Sequence, residues 1–170
     1  MLLTNTGVEI SIFNGSLSGT GVSCDYYNGG DNLMSLHNNG GTSKVVRWLV
    51  AIPASSLGDV SLAYVANDVS TSKSLPGTSK IVGVVGDSSK LELFDSLTLL
   101  LDASINLAGN GKKLRHFKGF GFIIVVFGNA SGLNKAQIFN QSANTGSGPV
   151  KEVLLPSVDP VAVAASLTTN

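Results

Sequence analysis

Charge is scarce in this chain. Of 170 residues, 13% are charged, with 11 Lys plus Arg against 11 Asp plus Glu, so the formal net charge is +0. An ordinary soluble domain carries about 25% charged residues. The shortage excludes a strongly basic nucleic-acid binder, because counterion release needs clustered Lys and Arg. Cysteine is scarcer still: Cys24 is the only one, which excludes an internal disulfide framework and a Cys-rich zinc module. Long apolar runs are missing as well. The longest, Phe122–Phe127, and shorter ones such as Leu99–Leu101, fall far short of the ~20 residues of a membrane helix. The opening residues, Met1-Leu2-Leu3-Thr4-Asn5-Thr6, lack a basic region followed by an apolar one, so no signal peptide is expected.

Apolar content is ordinary, at 43%, and mean hydropathy is +0.29. Disorder along the whole chain is therefore excluded, since it goes with low hydrophobicity and high net charge. What fills the chain is short β-type runs punctuated by Gly, Asn, Ser and Asp. Val8, Ile10 and Ile12 alternate with Glu9, Ser11 and Phe13, and a second short strand is expected over Gly19–Cys24. Lys44–Ile52 reads as a central strand that Pro53 stops. Val60–Ala66, Lys80–Gly86, Ala136–Asn140 and Val150–Leu155 extend the list, and Phe120–Phe127 reads as a strand buried on both faces. Tyr26–Asn32 and His37–Thr42 are the clearest loops.

Ser89–Leu107 is ambiguous. Ser89-Lys90-Leu91-Glu92 has the form of a capping box and the leucines that follow fall at helical spacing, yet they also fit strand alternation. Asp159-Pro160 forms an N-cap and first-turn pair for a short helix over Val161–Leu167. No repeat of 20 to 50 residues stands out. The expected fold is an all-β, antiparallel, jelly-roll-like β-sandwich over residues 1–155, with residues 156–170 as a tail carrying a docking helix.

Candidate chemistry is thin. Cys24 with His37 or His116 is the one nucleophilic pairing the composition allows, and a packed cysteine explains Cys24 more simply. Gly109-Asn110-Gly111-Lys112-Lys113 resembles the end of a phosphate loop, but Asn106 stands where the first Gly belongs and Lys113 replaces the Ser or Thr, so a turn or hairpin is expected. Asp25, Asn28, Asp31 and Asn32 place oxygens in one Gly-rich loop without the spacing of a calcium loop. No catalytic residue, cofactor or metal is assigned.

Two functions compete. The first is a non-catalytic structural protein acting through oligomeric or lattice contacts, most plausibly a virion component assembled in the cytoplasm from copies of itself and other particle proteins. Obligate interfaces deplete charge, and jelly rolls are frequent in capsids. Its candidate contact residues are Tyr26, Tyr27, Asn28 and Asp31 in the first loop, Lys112, Lys113, Arg115 and Lys118 in the basic run, and Val161, Val163 and Leu167 in the tail. The second is a carbohydrate-binding β-sandwich, with Tyr26 and Tyr27 stacking on a sugar beside Asn28, Asp31 and Asn32.

Overall fold

The computed structural model describes residues 2–3, 9–10, 19–27, 32–49, 56–72, 81–117, 121–128 and 134–155. They are all-β. A two-residue pair, β1 (Leu2–Leu3) with β2 (Glu9–Ile10), precedes three four-stranded antiparallel sheets. The first holds β3 (Thr20–Tyr27), β4 (Asn32–Asn39), β5 (Thr42–Leu49) and β6 (Ser56–Leu62). The second holds β7 (Ala66–Thr71), β8 (Ile81–Gly86), β9 (Lys90–Asp95) and β10 (Leu101–Asn106). The third holds β11 (Asn110–Phe117), β12 (Phe122–Gly128), β13 (Asn134–Asn140) and β14 (Lys151–Leu154).

Each sheet is a meander whose strands lie in sequence order, and no strand crosses from one four-stranded sheet to another. A jelly roll would pass strands back and forth between two sheets. Local turn chemistry explains the difference: tight links such as Asn39-Gly40-Gly41-Thr42 return the chain to the neighbouring strand. There φ is 58° at Gly40 and 97° at Gly41, the left-handed pair that a two-residue hairpin needs. The three sheets also form a repeat that residue identity conceals. Thr20, Ala66 and Asn110 open them, 46 and 44 residues apart.

Alternation along the strands supplies two cores, one on each side of the second sheet. Met34, Leu36 and Val45 of the first sheet pack with Val69, Val82, Val84 and Phe94 of the second. From the other face of the second sheet, Val85, Leu91, Leu93 and Ile105 pack with Leu114, Ile123, Val125 and Phe139 of the third. Such double-sided burial explains why β8 is apolar almost throughout; β12, expected to be buried on both faces, turns Ile123 and Val125 into one core and leaves Phe122 and Ile124 half-buried. β7 packs against both β3 and β11, and no comparable packing joins β3 to β11. The first strands of the sheets thus form an open arc with β7 at its centre.

Several expectations shift. Ser89–Leu107 is two strands, β9 and β10, joined by a turn. Its helical spacing yields because Leu91, Leu93 and Ile105 must share one sheet face. Val60–Ala66 is divided: β6 ends at Leu62 and β7 begins at Ala66, so the run spans the passage between sheets. The expected loops are shorter, since Tyr26 and Tyr27 end β3, Asn32 starts β4, and His37–Asn39 belong to β4. Gly109–Lys113 is no hairpin; it links β10 at the rim of the second sheet to β11 at the inner side of the third. The expected helix at Val161–Leu167 lies outside the described residues.

Candidate functional site

The greatest concentration of buried polar side chains is where β3, β7 and β11 meet. Asp68 on β7 is fully buried. Its Oδ1 accepts from the Ser23 hydroxyl on β3 and from the Val69 amide. Its Oδ2 accepts the Leu114 amide at 3.0 Å and Arg115 Nη1 at 2.9 Å, both from β11. One carboxylate therefore binds all three inner strands. Two residues along β7, the Ser70 hydroxyl donates to Asp25 Oδ2 on β3 at 3.0 Å and accepts the His116 amide at 3.2 Å. The Thr71 amide reaches the same Asp25 oxygen at 2.9 Å.

The sequence builds this cluster by interrupting an apolar strand. Asp68 and Ser70 sit one residue either side of Val69, so they share the face opposite to it. Val69 turns into the core while the polar pair faces the neighbouring inner strands. A buried carboxylate is tolerated only when paired and hydrogen-bonded, and both its oxygens meet that condition. Chemically the cluster is a clamp. Its carboxylates already accept hydrogen bonds from protein donors, and among the described residues no group of three or more His, Cys, Asp or Glu could hold a metal ion.

A second buried polar chain lies on the face of the first sheet turned away from the second. Trp48 Nε1 donates to Ser35 Oγ at 2.7 Å, and Ser35 Oγ meets His37 Nε2 at 2.8 Å. Burial holds the His37 imidazole below its ordinary pKa. Tyr64 donates to Glu92 at 2.8 Å. Burial first, and the Glu92 charge second, raise its phenol far above the usual value.

The anticipated contact residues are dispersed. Tyr26 and Tyr27 end β3, while Asn28, Asp31, Lys118, Val161, Val163 and Leu167 lie outside the described residues. Lys112 is exposed, Lys113 is half-buried, and Arg115 is engaged with Asp68. The basic run is thus the inner strand of the third sheet, with Leu114 and His116 buried between its cations. Of the four oxygen-bearing residues of that loop, Asp25 turns to Ser70 and Thr71 and Asn32 is buried at the start of β4, while Asn28 and Asp31 lie outside the described residues. Cys24 is exposed on β3. Asp68 was invisible as a candidate, and its one signal was a carboxylate set within an otherwise β-type run.

No protein-family model matches the chain, and no curated protein matches it in sequence. Its fold is similar to that of several solved structures. The crystal structure of the Mitotic Checkpoint Complex matches with a TM-score of 0.68 at 14% identity, covering 88% of this chain and 43% of that one. The RRP9 WD40 repeats match with a TM-score of 0.64 at 9% identity, covering 84% of this chain and 40% of that one. Hydrazine synthase of Kuenenia stuttgartiensis matches with a TM-score of 0.63 at 9% identity, covering 79% and 37%. This chain therefore spans about two fifths of their length. WD40 repeats form β-propellers, in which four-stranded blades surround a central axis. The likeness is one of fold: three consecutive blade-like sheets, with β3, β7 and β11 on the axis side.

Proposed function

We propose that the chain is a non-catalytic, propeller-like assembly module that works through contacts between protein chains. One observation carries the reading. At the β9–β10 turn, Leu97, Leu100 and Leu101 are 61%, 69% and 54% exposed within one short stretch of chain. Neighbouring exposed leucines of this kind mark interaction surfaces in soluble proteins. The polar groups at the inner strands support the same reading, because they hold the sheets together and leave little free for chemistry. A virion component remains the setting that the composition favours, with low charge matching a surface destined for repeated contacts.

Light scattering coupled to size-exclusion chromatography on the full chain tests the proposal. A mass at least twice 17.5 kDa that falls on dilution is expected. A monomer at every concentration, with no partner retained in a pull-down, would overturn it. Glycan binding that disappears in a Tyr26→Ala, Tyr27→Ala variant would favour the carbohydrate-binding alternative instead.

A further inference from the structure

The net charge of +0 conceals an internal separation. Residues 110–154, the third sheet and its loops, hold Lys112, Lys113, Arg115, Lys118, Lys135 and Lys151 against Glu152 alone, a net of +5. Residues 66–106, the second sheet and its loops, hold five carboxylates against three lysines, a net of −2. Besides Val22 and Leu57 of the first sheet, the exposed large apolar side chains among the described residues fall in two groups, one on each of these sheets. One group is Leu97, Leu100 and Leu101, followed at once by the exposed Asp102. The other is Val150, Val153 and Leu154, which are 53%, 40% and 68% exposed around the exposed pair Lys151 and Glu152; Glu152 is turned to Lys135 and Gln137 of β13, which leaves Lys151 as the base of this group.

The groups lie on, or directly before, the outermost strands: β10 ends the second sheet and β14 ends the third. The second and third sheets are linked on this side, because the Ser104 amide of β10 donates to Thr145 Oγ1, in the loop before β14, at 3.1 Å. The rim thus presents an apolar group with an acid beside an apolar group with a base. Asp102 sits at the register shift where β10 departs from β9. Such an irregularity opposes the addition of another strand, so the contact would form through side chains.

We infer that this rim is the self-association surface of the chain, in a two-fold dimer where Leu97, Leu100, Leu101 and Asp102 of one copy meet Val150, Lys151, Val153 and Leu154 of the other. The inference rests on the assembly reading above and names its partner. A two-fold axis places each group on its complement twice within one interface. Apolar side chains are then removed from water, and Asp102 faces Lys151 across the contact in both directions. A second copy fits because it brings the complementary group already shaped.

Charge reversal tests it. Asp102→Lys alone and Lys151→Asp alone place like charges at both symmetric contacts, and each variant should self-associate about tenfold more weakly than wild type. Mixing the two variants, or combining both substitutions in one chain, should restore association, since opposite charges then meet again. Leu100→Ser should weaken association without changing the thermal midpoint of the monomer, its side chain being solvent-exposed. Sedimentation equilibrium reads all of these. If the wild type associates but the reversals have no effect, or mixing fails to restore it, this surface is overturned while the assembly reading stands. If the wild type is monomeric throughout, this surface is overturned, and the assembly reading falls with it when no partner is retained in a pull-down.

Discussion

Asp68 Oδ2 accepts the backbone amide of Leu114 at 3.0 Å. A side chain on the inner strand of the second sheet thereby completes the backbone hydrogen bonding of the inner strand of the third. Ser23 closes the same link from the first sheet. The sheets meet at their inner edges through carboxylates, where a continuous sheet would use its own ladder.

Replacing Asp68 with Ala should therefore destabilise all three sheets together. The Leu114 amide and Ser23 hydroxyl lose their acceptor, and Arg115 loses its counter-charge. A cost of about 2–4 kcal/mol is expected, since each buried donor left unsatisfied costs about 1–3 kcal/mol. Asp68→Asn keeps an acceptor oxygen and should cost less. Urea unfolding checks both, and a loss below about 0.5 kcal/mol for the alanine variant would show that the clamp matters little.

Gly111 offers a test of the packing between the second and third sheets. A Cβ at this position would lie 2.4 Å from Val85 Cβ, far inside van der Waals contact. Gly111→Ala should cost about 1–3 kcal/mol, the usual range for overpacking. Because the nearest atom is the Val85 Cβ, which alanine would keep, Val85→Gly in the same chain should recover part of that loss, although Val85→Gly alone leaves a cavity. A double-mutant cycle on urea midpoints reads the coupling, and strict additivity would mean that the two positions do not meet.

The strands were legible where apolar alternation was strong. β5, β8, β12 and β13 fall within or nearly on the runs that their Val, Ile and Phe residues mark. The partition into three sheets was not. It depends on which turns are tight and which cross to a new sheet, and Gly109–Lys113 looks like a hairpin although it is a crossing. The repeat was hidden because its three units share geometry without sharing residues: Asp68, third in β7, has Val22 and Lys112 as its counterparts in β3 and β11. The inner clamp was illegible for a related reason, since Ser23, Asp25, Ser70 and Arg115 become neighbours only after the sheets stack.

Asp95 governs the turn that presents the exposed leucines. Its Oδ1 accepts the Thr98 amide at 2.8 Å and the Leu97 amide at 3.0 Å, and Leu99 is held at φ 56°, a left-handed conformation that costs a non-glycine residue energy. The Thr98 amide bond is the main cause holding the Asp95 carboxyl below its ordinary pKa. A depressed carboxylate stabilises the fold above its unfolded pKa of about 3.9, and that contribution is lost as pH falls through the folded value. Asp95→Asn should therefore flatten the acid limb of the stability curve below about pH 4. An unchanged limb would separate the turn from folding.

His37 should impose a second, higher acid limit with a different cause. Trp48 Nε1 donates to Ser35 Oγ, which lies 2.8 Å from His37 Nε2, an arrangement that a neutral imidazole can satisfy. Burial holds the folded pKa of His37 below its ordinary value of 6.5. Between the folded value and 6.5 the unfolded chain binds the proton and the folded one does not. Stability is consequently unaffected by His37 above that window and declines as pH falls through it. His37→Gln retains a polar side chain that can bond to Ser35 but does not titrate, so its stability should stay level where the wild type declines. Thermal midpoints from pH 7.5 down to about pH 5, the range in which histidine titrates, distinguish the two. Parallel curves would show that His37 takes up its proton equally in both states.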